Sequence, residues 1–445
     1  MFSFELMNLT RRHFIKGAAA AAVSFNAVPL ISAAPGRKYR TALLGSGWWG
    51  MNILREAMGS GQCKVVALCD VDPQALSVAA ERTRELSGDE PKKYKDFRDL
   101  LEKEKPEVVI IATPDHWHAL MTIAAVKAGA HVFVEKPTGH TVNESRAMVS
   151  AAKATGRVIQ VGLHRRVGPH FVSGMKFLKE GGAGTIGMVR AFVHSGGGKE
   201  RPSPNSDAPE GMDWDLYCGP APLRPFNTKI HPGGWRNFLG FANGTLGDWG
   251  VHWLDQILRF TDEKYPKTIY STGGRPVQGP AVLTEKEQTS DAPDSQVAVY
   301  QFESFTATWE HRKFAANRAE KSSVGCYFYG TKGTFHMGWR DGWSFYPAND
   351  KDKVMHQAAE IQEPDGHNLK LLWQDFMESI ANGTSPAANV ELAHRASTMS
   401  LLGMLSLKAG RSIQWDGEKE QIVGDPEANR LLSRSYRGPW EYPKV

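Results

Sequence analysis

The sequence predicts an α/β protein in which a parallel sheet with helices on both faces is followed by an α+β domain with a large, open, mostly antiparallel sheet. From residue 39 to residue 162, strand-like and helix-like runs alternate, which is typical of βαβ units. Beyond about residue 165, several strand-like runs follow one another without intervening helices, which favours antiparallel pairing. The 445 residues are enough for two domains of this kind.

The first domain is predicted from five strand-like runs with helical patterns between them. The strands lie at 39–44, 64–69, 107–112, 130–134 and 157–162, and the helices at 51–58, 73–85, 116–127 and 141–154. The run at 107–112 is almost wholly apolar, as expected for a strand of a parallel sheet that is buried on both faces. Pro73 is tolerated in the first turn of its helix, because an N–H there would have no partner.

The second domain is predicted to begin with a helix at 171–180 and a strand at 185–194. An irregular stretch at 195–243 follows, rich in proline and glycine, and a loop of this length is more often functional than idle. A helix at 247–260 then precedes strand-like runs at 268–272, 296–303, 305–311, 323–329 and 333–337. Helices at 369–380 and 390–408 complete the predicted domain.

The N-terminal 36 residues have the features of an export signal. Arg11 and Arg12 form the pair in the run T-R-R-H-F-I-K, and an Ala-rich stretch extends to Ala34. Small residues at 32–34 suggest a cleavage site, although Pro35 follows directly and leaves an uncleaved anchor as an alternative. We therefore expect export by the twin-arginine pathway, for example to the periplasm. The domains are expected at 37–162 and 163–445, with C-terminal helices able to pack back on the first domain.

Composition excludes several classes of function. The chain is 41% hydrophobic and 23% charged, as in ordinary soluble proteins. Its net charge is +5, and in the signal segment Arg11, Arg12 and Lys16 supply three positive charges against Glu5. We found no basic stripe with interleaved aromatic residues, so nucleic acid is not an expected partner. The four cysteines have no metal-binding spacing, and Cys69 is predicted to be a buried thiol.

A glycine-rich turn indicates a dinucleotide site. Gly45, Gly47 and Gly50 give the pattern G-x-G-x-x-G after the first strand and before the first helix. The first glycine allows the tight turn, the second lets the backbone approach a pyrophosphate, and the third lets the helix pack against the strand. Asp70 ends the second strand and is expected to bind ribose hydroxyls, which favours NAD over NADP. Asp72 precedes Pro73 and is predicted to cap the next helix.

Further motifs extend this Rossmann pattern along the chain. They are Gly45–Gly50 (G-S-G-W-W-G), A-T-P-D-H-W-H from Ala112, E-K-P from Glu135, G-L-H-R-R from Gly162 and G-D-W-G-V-H from Gly247. In order and spacing they resemble the glucose-fructose oxidoreductase/inositol dehydrogenase (Gfo/Idh/MocA) family, from about Arg40 to the C-terminus. The resemblance implies an NAD-dependent oxidoreductase acting on CH–OH groups, a cis Lys136–Pro137 bond and a dimer or tetramer.

The resemblance also implies the catalytic residues, which are Lys136, Asp248 and His252. Lys136 follows a strand at the carboxyl edge of the first sheet, where such sheets bind ligands. Asp248 and His252 are four residues apart and are expected to share one helix face, so that the carboxylate orients the imidazole. The proton acceptor is then His252 or Lys136. The expected cofactor-binding residues are Gly45, Gly47, Trp48, Trp49, Gly50, Asp70, Thr113, Pro114, His116, His118, Glu135, Lys136 and Arg166.

Substrate contacts are expected among donors and an aromatic ring close to the catalytic helix, a combination that suits a carbohydrate. The candidates are Arg166, His231, Trp235, Arg236 and Asp255. A metal alternative would use Asp248, His252 and Asp255 as ligands, but hydride transfer to NAD needs no metal and no further ligand completes the set. We therefore expect no metal.

Three functions compete on this sequence. The first is an exported oxidoreductase for a sugar, glycoside or cyclitol, with tightly held NAD because little free NAD exists outside the cytoplasm. The second is a redox-neutral, NAD-dependent glycoside hydrolase or lyase that works through a keto-sugar. The dehydrogenase pattern of Asp248 and His252, without the tyrosine-centred motif expected of such glycosidases, favours the first. A non-catalytic sugar-binding module is the third.

Overall fold

The structure, a computed structural model, describes residues 36–261, 263–317, 319–361 and 364–444. The predicted export signal therefore lies outside the described residues, apart from Gly36. Within the described residues, none of the helices is both long and apolar enough to cross a membrane.

The first domain is a six-stranded parallel sheet with the strand order β3-β2-β1-β4-β5-β6. Its strands are β1 (Tyr39–Leu44), β2 (Cys63–Cys69), β3 (Lys92–Tyr94), β4 (Val108–Ile111), β5 (His131–Val134) and β6 (Ile159–Val161). Its helices are α1 (Trp48–Gly59), α2 (Pro73–Ser87), α3 (Phe97–Glu104), α4 (Asp115–Lys127) and α5 (Val142–Thr155). This is the predicted Rossmann arrangement, and its switch point lies between β1 and β4.

Two elements of the first domain were not predicted, namely β3 and α3. The strand β3 has the sequence K-K-Y and lies at the sheet edge with both lysines exposed. It therefore shows no apolar alternation, and charged residues are common on such edges. The four buried residues of β4, in contrast, made the central strand readable from sequence.

The second domain is built on a ten-stranded mixed sheet with the order β16-β15-β14-β13-β7-β12-β11-β9-β17-β18. The domain's strands are β7 (Ile186–His194), β8 (Ser203–Pro204), β9 (Thr268–Gly274), β10 (Glu287–Gln288), β11 (Ser295–Gln301), β12 (Thr306–Arg312), β13 (Val324–Gly330), β14 (Gly333–Gly338), β15 (Trp343–Pro347), β16 (Met355–Gln357), β17 (Ile413–Asp416) and β18 (Gln421–Ile422). Strands β8 and β10 pair separately. The described ladders of the large sheet are antiparallel except for β7 with β12, so the mostly antiparallel sheet is confirmed.

Helices cover one face of this sheet and connect it to the first domain. They are α6 (Pro169–Lys179), α7 (Trp214–Cys218), α8 (Val251–Phe260), α9 (Pro364–Asn382), α10 (Val390–Ala409) and α11 (Pro426–Arg430). Trp373 of α9 packs on Phe133 of β5, and the Gln160 side chain of β6 donates to the Leu372 carbonyl at 3.1 Å. Helix α9 of the second domain thus makes buried contacts with strands β5 and β6 of the first domain.

All four cysteines are buried free thiols. Burial raises the pKa of Cys63 and of Cys218 to about 11, and it raises the pKa of Cys69 well above its usual value. The predicted buried thiol at Cys69 is confirmed, and its Sγ lies 3.4 Å from the Lys95 carbonyl oxygen.

Candidate functional site

The glycine turn has the geometry that a pyrophosphate needs. Gly45 has a φ of +88°, and a Cβ there would lie 2.8 Å from the backbone of Ala112. A Cβ on Gly50 would lie 2.1 Å from the Gly45 carbonyl oxygen, so the third glycine lets α1 approach β1. A Cβ on Gly47, in contrast, would meet no atom within 4 Å, which leaves open space in front of the helix N-terminus.

This contrast gives the first testable prediction. Gly50→Ala should lower the free energy of unfolding of the cofactor-free protein by about 1–3 kcal/mol, because the new methyl group overlaps backbone. Gly47→Ala should leave that stability nearly unchanged and weaken NAD binding instead. Chemical denaturation and NAD titration measure the two effects. Equal loss of stability in both variants would contradict this account of the turn.

The ribose end of the groove is formed by both domains. The Asp70 carboxylate accepts hydrogen bonds from the backbone N–H groups of Ser46 at 2.6 Å and Asp72 at 3.0 Å. Asp72 caps α2, as predicted, and its other oxygen contacts His231 Nε2 at 2.9 Å. His231 therefore lies in the cavity beside Asp70 and not in the larger cavity beside Lys136. Its expected role as a substrate contact is not supported by this position.

A cavity of about 790 Å³ lies beyond the glycine turn, between the two domains. Trp48, Trp49 and Thr113 line both this cavity and the one at the ribose end, which makes the two a continuous groove. Thr113 Oγ1 and Glu135 Oε1 are buried and have no hydrogen-bond partner in the described part of the chain. Unsatisfied buried polar atoms in a groove of this size are suited to a polar ligand, so these residues fit a dinucleotide.

Lys136, Asp248 and Arg236 meet at the centre of the larger cavity. Lys136 Nζ donates to Asp248 Oδ1 at 2.5 Å and to the Asp248 carbonyl oxygen at 3.0 Å. Arg236 Nε lies 3.5 Å from the same carboxylate oxygen, and its guanidinium lies over the Trp235 ring at 4.2 Å. The Lys136–Pro137 peptide bond is cis, as the resemblance implied. The sequence-predicted residues Lys136, Asp248, Trp235 and Arg236 are therefore brought together.

His252 also lines this cavity, but the predicted contact with Asp248 is absent. Residues Leu246–Gly250 form a π-helical turn, and α8 begins only at Val251. The wider turn breaks the four-residue alignment that a regular α-helix would give, and the Asp248 carboxylate is bound by Lys136 instead. His252 Nδ1 is buried without a hydrogen-bond partner among the described residues, and its ring lies 5.3 Å from that of His164.

Burial and neighbouring charges set the protonation states of the groups around the Lys136–Asp248 pair. Burial lowers the pKa of His252 well below its usual value, and the Lys136 charge acts in the same direction. Burial alone would raise the pKa of Asp248, but the charges of Lys136 and Arg236 outweigh it and hold that pKa below its usual value. Burial raises the pKa of Asp115 to about 8. At neutral pH the cavity thus contains a neutral His252 beside an ionised Asp248.

Arg166 and Asp255 bind each other and do not line the cavity. Arg166 Nε lies 2.9 Å from both Asp255 oxygens, and Arg166 Nη2 lies 2.6 Å from Oδ1. Asp255 is 1% exposed. Each side chain thus neutralises the charge of the other. This geometry does not support the cofactor- and substrate-binding roles expected for Arg166, nor the substrate-binding role expected for Asp255. The metal alternative fails on the same contacts, because Asp255 is held by Arg166 and Asp248 by Lys136.

The two histidines of α4 have different positions. His118 lines the cavity, and its nitrogens lie 2.7 Å from the Pro137 carbonyl oxygen and 2.9 Å from that of Thr113. His116 is fully buried and its Nε2 contacts the Tyr217 carbonyl oxygen at 2.9 Å, so it lines neither cavity. Burial lowers the pKa of His116 to about 3 and that of His118 to about 4. His116 is thus placed for packing between the domains, whereas the expected position of His118 is supported.

Several residues that line the cavity were not predicted. They are His164, Trp249, Lys321, Trp339, Arg340, Asp341 and Asp365. His164 and Trp249 belong to motifs that carry the family resemblance, so a sequence signal existed for them. Trp339 follows β14 in a turn, and its ring lies 5.2 Å from that of His252. Nothing in the local sequence around Trp339 indicates that packing.

Residues 39–163 match the oxidoreductase family with the NAD-binding Rossmann fold, and residues 183–442 match the C-terminal alpha/beta domain of the same family. The chain belongs to the Gfo/Idh/MocA oxidoreductase family. Among solved structures, a levoglucosan dehydrogenase in complex with NADH superimposes on 85% of this chain and 99% of its own length, with a TM-score of 0.65 and 21% identity. This similarity supports the shared fold of the Gfo/Idh/MocA members.

Curated relatives match over shorter stretches. A glycosyl hydrolase family 109 protein of Stenotrophomonas maltophilia is 36% identical over 154 residues, which is 33% of this chain and 34% of that protein. A levoglucosan dehydrogenase of Pseudarthrobacter phenanthrenivorans is 36% identical over 115 residues, or 24% of this chain and 30% of that enzyme. The matched stretches thus span about a third of each relative. One of these relatives is named as a hydrolase and the other as a dehydrogenase, and both resemble this chain.

Proposed function

We propose that this chain is an exported oxidoreductase that uses tightly held NAD to oxidise a secondary hydroxyl of a sugar, glycoside or cyclitol. The observation that carries the proposal is the Lys136–Asp248 pair beside a neutral His252, in a cavity continuous with the glycine turn. Asp70, which would face ribose hydroxyls and repel a 2′-phosphate, supports NAD over NADP. Tryptophans around the cavity support a carbohydrate substrate.

In this proposal, His252, Lys136 and His118 have different roles in the reaction. When bound, the nicotinamide ring would accept the hydride from the carbinol carbon. His252 would take the hydroxyl proton, since its neutral imidazole has a lone pair available. Lys136, held by both the carboxylate and the carbonyl of Asp248, would stabilise the developing alkoxide with a fixed positive charge. His118 would fix the carbonyl of Pro137 next to that lysine.

The pH dependence separates the two candidate proton acceptors. If His252 is the acceptor, kcat/KM should remain high at pH values below 6.5, the ordinary pKa of histidine, because burial lowers the pKa of His252 and keeps the ring neutral there. If Lys136 were the acceptor, His252→Ala should leave the pH profile of kcat/KM unchanged. Initial rates of the wild type and of His252→Ala across the acid and alkaline range, with NAD saturating, make the comparison. A profile that His252→Ala does not alter would reverse our assignment.

Two features support tight retention of the cofactor. His231 from the second domain contacts Asp72 at the ribose end of the groove, and Tyr217 and Pro232 line the same cavity. The N-terminal sequence supports the twin-arginine route, which carries folded proteins and would export the enzyme with its cofactor. In this proposal a second substrate or a later reduction step regenerates NAD.

A redox-neutral glycoside hydrolase is the second candidate. The similarity to a glycosyl hydrolase family 109 protein favours it. The same residues would serve. Transient oxidation of a hydroxyl two ring positions from the anomeric carbon would acidify the C–H between them, so that the aglycone could leave by elimination. Water would then add to the anomeric carbon, and the hydride would return to the keto carbon.

Product analysis with an aryl glycoside tests the proposal. We expect an intact keto-glycoside and a stoichiometric amount of reduced nicotinamide in a single turnover. Released aglycone without net reduction would instead support the hydrolase. A variant with Lys136→Met serves as the inactive control for both reactions.

We also propose that the protein forms a homo-oligomer through the open face of the ten-stranded sheet. Met188 of β7, Tyr270 of β9 and Val297 of β11 are between 40% and 46% exposed on that face. Large apolar side chains on an uncovered sheet face are typical of a surface that packs against another subunit.

A further inference from the structure

A further cavity adjoins the larger one beside Asp248 and Arg236. This side cavity has a volume of about 360 Å³, within the range of small-molecule sites. It shares part of its wall with the larger cavity, namely Arg236, Asp248, Trp249, Ser323 and Val324. A ligand whose reacting ring lies at Lys136 and His252 could therefore extend past Trp249 into the side cavity.

Lys313 is the charged group that the side cavity adds. It directly follows β12, and its Nζ donates to the Asn237 side-chain oxygen at 2.5 Å. Among the described residues, none of the carboxylates lies within ion-pair distance of this amine. Lys313 is also largely buried, and burial lowers its pKa. A largely buried ammonium group without a carboxylate partner is costly unless a ligand supplies the anion.

The carboxylates that face Lys313 at longer range are already occupied. They belong to Asp248, Glu200 and Asp294. Asp248 is bound by Lys136, and Glu200 is bound by both Arg275 and Lys229. Asp294 Oδ2 accepts from two backbone N–H groups. None of these three carboxylates is therefore free to pair with Lys313.

The part of the side-cavity wall that contains His194 adds no net charge. His194 lines it, and its two ring nitrogens face Glu310 at 3.0 Å and Glu320 at 2.8 Å. These carboxylates also bind Arg190 and Arg312, so two acidic and two basic groups balance one another. Arg190 and Arg312 thereby occupy the carboxylate oxygens that a metal ion held by His194, Glu310 and Glu320 would need.

We propose that the substrate has a second sugar unit that occupies the side cavity and carries an anionic oxygen group, a carboxylate or a sulfate, bound by Lys313. The shared wall at Trp249 would contact the linkage between the two units. This inference rests on the proposed function, because it places the reacting ring at Lys136 and His252. It narrows the substrate class from any sugar or cyclitol to an acidic disaccharide or oligosaccharide.

Kinetics with a matched series of sugars tests the inference. The series consists of methyl glucoside, cellobiose, its analogue with a terminal glucuronic acid and its analogue with a sulfate ester. We expect an anionic disaccharide to exceed cellobiose in kcat/KM by about tenfold or more, because a hydrogen bond to a charged group is being added. Lys313→Met should abolish this preference, and Lys313→Arg should retain most of it. Methyl glucoside should be unaffected by either change to within about twofold.

Calorimetric binding to the NADH-loaded protein separates this inference from the proposed function. Wild-type protein should bind one of the anionic disaccharides about tenfold more tightly than Lys313→Met protein does, whether or not turnover occurs. Lys176→Met, which removes a 73% exposed lysine on α6, is the matched control and should bind like the wild type. Binding that depends on Lys313, together with no reduction of NAD by any sugar of the kinetic series, would overturn the proposed function alone. Equal affinity of wild-type and Lys313→Met protein for both anionic sugars would overturn the inference. Comparing the glucuronic acid analogue with the sulfate ester shows which of the two anions Lys313 binds.

Discussion

Lys136→Met should lower kcat for glycoside oxidation by about 10²- to 10³-fold, the range found when one preorganised donor is removed from a developing oxyanion. The expectation follows from the position of Nζ, which two oxygens of Asp248 fix at the wall of the larger cavity. Methionine is unbranched and one atom shorter than lysine, so it keeps most of the side-chain packing while it removes the charge and its donors. The rate constant of a single turnover, measured from reduced-nicotinamide absorbance, gives the effect.

Two controls accompany this substitution. NAD affinity of Lys136→Met should change little, because the pyrophosphate and ribose contacts lie at the glycine turn and at Asp70. Lys136→Arg keeps the charge but not the geometry, so it should recover only part of the rate. If Lys136→Met retained wild-type kcat with intact folding, Lys136 would have no role in the chemical step.

Arg166→Met should lower the free energy of unfolding by about 3–5 kcal/mol, because it leaves the buried Asp255 carboxylate without its partner. This is the largest effect on stability that we expect from a single substitution. Denaturant unfolding with Arg166→Met and Asp255→Asn measures it. KM values of any remaining folded enzyme should stay close to those of the wild type, since neither residue lines the cavity.

The double variant Arg166→Met/Asp255→Leu sharpens this test. Replacing both members of a buried ion pair by apolar groups is often neutral, so the double variant should be more stable than either single one. A substrate-binding role would give a different pattern. In that case the single variants would keep their stability and show a raised KM, and the position that we assign to this pair would be wrong.

The fold was predictable because its signals are local. Buried strands such as Val108–Ile111 are apolar throughout, and Gly45, Gly47 and Gly50 mark a turn that few other residues can make. The short charged strand Lys92–Tyr94 lacks such a signal and was missed. The domain boundaries and the export signal stay predictions.

The site was only partly predictable, because its decisive contacts join distant parts of the chain. Lys136 and Asp248 were both identified through the family resemblance, although their direct contact was not foreseen. The expected Asp248–His252 contact was wrong because a π-helical turn replaced the assumed α-helix. The pairing of Arg166 with Asp255 depends on packing within the second domain, and that of His231 with Asp72 depends on packing between the domains. Spacing along the sequence encodes neither contact.

The most direct test of the central claim is transfer of deuterium to the nicotinamide ring. Protein loaded with stoichiometric NAD would be mixed with glycosides deuterated at every ring carbon, quenched, and its nucleotide analysed by mass spectrometry. We predict reduced nicotinamide that carries deuterium, together with a sugar that has gained one keto group, and both products should form about 10²- to 10³-fold more slowly with Lys136→Met. Unlabelled, fully oxidised NAD recovered alongside bound or cleaved glycoside would contradict net hydride transfer from the sugar and, with it, the function proposed for this chain.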